Sequence, residues 1–202
     1  DNEDIFYASK TGNTVLIENI LSQKGQKEDV NQQDYLGNTP LIYSCSIGKE
    51  DAVKLLLKKK ASPNIVNNDG ISPLIAACTT NNFEIIKLLI KEKAKIDVKN
   101  KDGMTPLMFA CINGNTDIVN FLLEKKANPN DIDKNGNSAL IYSVEKGQID
   151  IVRALIAGKA NVNIENDNKI TPFFIAARQG NLNILKVLSD AGAKTNQPNI
   201  NG

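Results

Sequence analysis

The chain has 202 residues, 24 of them basic and 23 acidic, and its formal charge of +1 gives no pull toward nucleic acid or an anionic membrane. It contains no His, which removes the His-based catalytic triads and zinc sets. Hydrophobic residues make up 41% but aromatic residues only 5%, a balance that suits thin layers of small aliphatic side chains better than one thick core.

The opening residues Asp1-Asn2-Glu3-Asp4 are unlike a secretory signal, and no apolar run approaches the roughly 18 residues of a membrane span. A start without Met suggests a piece of a longer protein. Ile5-Phe6-Tyr7-Ala8 opens a first helix, and Val15, Leu16, Ile17, Ile20 and Leu21 give a second, amphipathic one. The stretch from Ser22 to Asp29 is polar and reads as a connection. Residues 1–33 thus form a helical unit without the phrase that follows.

That phrase is a turn handing over to a helix. In Asp102-Gly103-Met104-Thr105-Pro106-Leu107 the glycine accepts positive φ, and Thr105 suits the N-cap. Pro106 suits the first helical position, where no N–H is needed. The phrase returns with caps at Thr39, Ser72, Thr105, Ser138 and Thr171, every step being 33 residues. Each first helix is expected to end at a residue that accepts the left-handed conformation: Gly48, Asn81, Gly114, Gly147 or Gly180. A second helix follows, with an apolar stripe such as Ile85, Ile86, Leu88 and Leu89, and with Lys54, Lys87, Arg153 and Lys186 facing out. Phrases such as Lys126-Ala127-Asn128-Pro129-Asn130 then lead to the next turn. At two to three turns apiece these helices are too short to stand alone in water, so stacking must hold them.

Cys45, Cys78 and Cys111 also stand 33 apart. Equivalent places in stacked repeats lie about 8–10 Å apart, beyond the ~7 Å Cα separation a disulfide tolerates. They read as small buried fillers in a reducing compartment. The location expected is intracellular, cytoplasmic in the first instance with the nucleus as alternative.

With these parts in register, the chain resembles the ankyrin repeat family. The match covers five units, 34–66, 67–99, 100–132, 133–165 and 166–198, behind the helical unit 1–33, with 199–202 as the start of a further repeat. The implied fold is an all-α repeat solenoid of stacked helix–turn–helix pairs with projecting β-hairpin loops, forming a single domain over 1–202. Departures from the family pattern are specific. Its His is Ile42, Ile75, Met108, Ile141 and Phe174, its turn glycine is Lys169 in the last unit, and the Gly ending the second helix is Lys60, Lys93, Lys126 and Lys159.

The resemblance implies a non-catalytic module that binds a partner protein through a groove lined by hairpin tips and first helices. Asn38 falls on that face. So do the apolar residues Tyr35, Leu36, Ile47, Ile71, Met104 and Ile112, while Lys101, Asp102 and Lys134 form its polar rim. The alternative for the apolar members is that some tuck against neighbouring turns as core. No catalytic or metal constellation and no cofactor is expected, and the chain is expected to be monomeric. A second functional reading is the targeting domain of a larger enzyme or intracellular effector. A third is a lysine strip at 54, 58, 59, 60, 87, 91 and 93 that meets phosphates or anionic lipid. A solvated helix face explains that strip more simply, so nucleic acid is not the expected partner.

Overall fold

The structure is a computed structural model and describes residues 4–23 and 28–196. The expected further repeat at 199–202 and part of the polar connection after Ser22 lie outside the described residues. Twelve helices and no strand occur among the described residues. They come in pairs: α1 (Ile5–Thr11) with α2 (Thr14–Leu21), α3 (Pro40–Ile47) with α4 (Glu50–Lys58), and α5 (Pro73–Thr79) with α6 (Phe83–Lys91). The pairs α7 (Pro106–Asn113) with α8 (Thr116–Glu124), α9 (Ala139–Glu145) with α10 (Ile149–Ala157), and α11 (Pro172–Gln179) with α12 (Leu182–Asp190) follow. Contacts divide the chain into two units, 1–101 and 102–202.

Each first helix starts where its cap residue allows. The hydroxyls of Thr39, Ser72, Thr105, Ser138 and Thr171 accept from the amides of Ile42, Ile75, Met108, Ile141 and Phe174 at 3.1–3.4 Å. These polar caps are themselves buried, so each bond satisfies a donor that would otherwise be stranded. Four of the five residues at the place of the family's His are fully buried, and apolar packing replaces its hydrogen bonds there. The fifth, Phe174, is half-buried with the Arg178 guanidinium over its ring at 5.8 Å.

First helices end in the left-handed conformation at Gly48, Asn81, Gly114, Gly147 and Gly180, as the spacing predicts. Four second helices end in the same way but at lysine, and α12 does so at Gly192. Lys60, Lys93, Lys126 and Lys159 have φ between 65° and 72°. Behind Lys60, the amide of Ala61 reaches back to the Leu56 carbonyl at 2.9 Å, while that of Lys60 meets Leu57 at 3.0 Å. This is a Schellman closure built without glycine.

Within the first unit α1 packs on α3 and α3 on α5, while α2, α4 and α6 form the second layer. The second unit repeats the plan, with α7 on α9 on α11 and α8 on α10 on α12. The layers meet over Leu41, Leu56, Leu74 and Leu89 in one unit and Leu107, Leu122, Leu140 and Leu155 in the other, all essentially inaccessible. Each such side chain contributes about 1.5–3 kcal/mol by leaving water, which is what short helices lack alone. Cys45, Cys78 and Cys111 lie buried in these layers, none of them in a disulfide. Burial pushes the first two far above the usual thiol range and Cys111 up to about 12, so none is a nucleophile at neutral pH.

Candidate functional site

The turns between units are built on one side chain each. Asp34 Oδ1 accepts from the amides of Leu36 and Asn38 at 3.0 and 2.9 Å. Asn67, Asp133 and Asn166 close their turns the same way. The projecting hairpins are therefore tight Asx turns rather than strand ladders, with one isolated bridge between Ile132 and Ser138. Successive tips are tied by backbone bonds. The Asn68 amide donates to Leu36 and the Lys101 amide to Asp69 in the first unit, and Lys134 to Asp102 and Asp167 to Asn135 in the second, all at 2.9–3.0 Å. That approach needs glycine at Gly37 (φ 78°), where a Cβ would stand 2.8 Å from the Asn68 nitrogen.

Two features of the turns were not expected from the sequence. Where the turn begins with Asp, the residue nine places on is Tyr, and the hydroxyls of Tyr43 and Tyr142 donate to the second carboxylate oxygens of Asp34 and Asp133. Burial, and then that bond, pushes both phenols up, Tyr142 to about 12. Where the turn begins with Asn67 or Asn166, the amide instead donates to Asn38 or Asn137 of the preceding turn, at 2.8 and 3.0 Å. The Asp…Tyr spacing is in the sequence and could have been found. The Asn38 result corrects an expectation: placed by the sequence on the open face, Asn38 is 9% exposed and spent on its neighbours.

The remaining expected surface residues separate by exposure. In the first unit Tyr35 is 88% exposed, with Leu36 and Ile47 about half so. Lys101 is exposed, and Ile71 is half-buried. In the second unit Asp102 and Lys134 are exposed, while Met104 and Ile112 are half-buried. The structure adds Val66 and Ile132, exposed aliphatic residues just before the second and fourth turns. Their signal was an apolar residue in a place held by Gln33, Lys99 and Glu165 elsewhere. Among the described residues no group of acidic or Cys side chains could hold a metal ion, and no helix is long and apolar enough to cross a membrane.

The family model for ankyrin repeats (three copies) matches residues 5–100, 59–133, 82–168 and 126–199. Among solved structures, the crystal structure of an ankyrin repeat domain from Acinetobacter baumannii AYE is similar, with a TM-score of 0.88 and 27% identity. The likeness covers 96% of this chain and 100% of that one. No match was found among the curated proteins.

Proposed function

Because the chain belongs to the ankyrin repeat family, whose members are generally protein–protein interaction modules, we propose that it recognises a partner protein through its turn tips and first helices, without catalysis. The observation that carries this reading is Tyr35. A tyrosine ring 88% exposed on a rigid tip, beside the exposed Leu36, contributes nothing to the core and costs solubility. Aromatic and long aliphatic side chains are the types that supply buried area at an interface. Ile47 and Ile71 extend the first unit's apolar surface, and Lys101 supplies a rim charge. The second unit offers Met104 and Ile112 with Asp102 and Lys134.

The test uses a partner recovered by crosslinking to the full chain. Tyr35→Ala with Ile71→Asp, and separately Met104→Asp with Ile112→Asp, are expected to weaken its binding at least about tenfold, near 1.4 kcal/mol. Circular dichroism should stay unchanged, because the turns rest on Asn67, Gly70 and Gly103 and none of these four side chains, Ile112 on α7 included, belongs to the buried core. Lys134→Glu is expected to change association rate and salt dependence more than dissociation. Equal binding by wild type and both double variants would sink the assignment.

A further inference from the structure

The ends of the second helices in the first unit carry charge that the fold does not neutralise. Ten lysines and four carboxylates fall between positions 54 and 101. Lys58, Lys60, Lys91, Lys93 and Lys95 are exposed, and none joins an ion pair among the described residues. Ordinary helix-face lysines of this chain behave differently: Lys54 pairs with Glu50 and Lys87 with Glu84, both at 2.6 Å.

The backbone of this corner is built as at Lys126 and Lys159, with the same left-handed φ and the same Asn clamp, so what distinguishes it is its density of lysine. Lys60 and Lys93 hold left-handed backbone at φ 71° and 65°, a place that Gly192 occupies in the last repeat. A side chain there meets backbone oxygen and strains the chain. The two corners are also clamped together. Asn64 donates its Nδ2 to the Lys93 carbonyl at 3.1 Å and accepts from the Lys95 amide at 2.8 Å, while α4 packs on α6. Equivalent lysines on adjacent packed helices lie about 8–10 Å apart, within the screening length of about 8 Å to 10 Å at moderate salt. Mutual repulsion among five exposed lysines is concentrated at this corner.

We propose that this corner is a cationic rail that docks an acidic polypeptide segment, a surface additional to the apolar one and independent of it. Polypeptide is favoured over nucleic acid on two grounds. The first unit has no Arg, the chain's two being Arg153 and Arg178, so it lacks the planar fork that grips phosphates in pairs. Glu92 and Asp97 stand among the lysines. They would repel a uniformly charged phosphate chain, whereas carboxylates spaced along a peptide can straddle them.

The probe is a fluorescein-labelled decaglutamate peptide, titrated into the full chain by anisotropy at low and at physiological salt, with a labelled thymidine decamer alongside. Lys60→Gly with Lys93→Gly is expected to weaken decaglutamate binding about fivefold or more while raising Tm by a few degrees. Loss of binding with gain of stability separates a docking role from a structural one. Lys126→Gly with Lys159→Gly relieves the same backbone strain elsewhere and is expected to leave binding unchanged. No binding at low salt, equal loss in both pairs, or tighter binding of the thymidine decamer would overturn the proposal. Tyr35→Ala with Ile71→Asp is expected to bind decaglutamate as wild type does, so failure of the apolar-surface reading would show separately.

Discussion

Single residues decide how well each turn and helix end is satisfied. Four second helices are capped by asparagine, with Asn13, Asn82, Asn115 and Asn181 accepting from an amide of the first turn at 3.0–3.1 Å. Gln148 holds that place in α10, forms no cap bond, and leaves its Oε1 buried without a partner. Gln148→Asn is expected to stabilise the fold by about 1 kcal/mol, read as a higher denaturant midpoint at unchanged slope. Asp34 offers a test with pH. Burial alone would push its carboxyl up, but the Tyr43 hydroxyl and the amides of Asn38 and Leu36 together hold it below its usual value. A carboxyl whose folded pKa is depressed stabilises above its unfolded pKa, about 3.9, and loses that contribution as pH falls through the folded pKa. In Asp34→Asn the amide can still close the turn, as Asn67 does, but the accepting oxygen for Tyr43 is gone. The variant is expected to be about 1 kcal/mol less stable at pH 7, with the gap narrowing below pH ~4. A gap constant from pH 7 to 2.5 would contradict the role given to the ionised carboxylate.

At the scale of elements, the pairs α7–α8 and α11–α12 share a unit and differ in quality. The turn into α7 has Gly103 at φ 77°, whereas the turn into α11 forces Lys169 to φ 59°, a conformation costing about 1 kcal/mol or more for a residue with a Cβ. The α12 helix buries Ile184 and Leu188 but leaves Leu182 76% exposed, where α8 buries Ile118, Val119 and Leu122. Repeat stability is a sum of unit and neighbour terms, so the poorer pair should open first. Amide exchange is expected to be faster across 172–190 than across 106–124. Equal protection would show that neighbour coupling outweighs the strain at Lys169.

For the whole molecule, the three cysteines act as reporters placed in both units. Cys45 and Cys78 lie in the first and Cys111 in the second, each buried with its thiol held protonated. Native protein should resist a thiol reagent for as long as unfolded protein takes to react completely. Rapid labelling of one thiol would locate a unit that opens by itself. Cys78→Ala should cost about 1 kcal/mol, since a buried Cys behaves as a small hydrophobe.

The sequence by itself determined the helix pairs, their caps and their ends. Those features rest on short-range chemistry: a hydroxyl three residues before an amide, a proline at N1, and a glycine or asparagine where φ turns positive. Thr39, Ser72, Thr105, Ser138 and Thr171 could be read in register because each repeat meets the same local demand. Burial of the cysteines and of Ile42, Ile75, Met108 and Ile141 followed from the same period. What only the tertiary structure decided was how polar and half-apolar side chains at the turns are spent. Asn38 is buried because Asn67, 29 residues away, donates to it, and no local pattern states that pairing. At the place shared by Asn38, Ile71 and Met104, Asn38 is buried while Ile71 and Met104 are half covered, a difference the shared register does not state. The clamp from Asn64 to the Lys93 carbonyl and the Lys95 amide likewise joins groups about one repeat apart. Periodicity fixes which residues recur, but contact between one repeat and the next fixes which of them water can still reach.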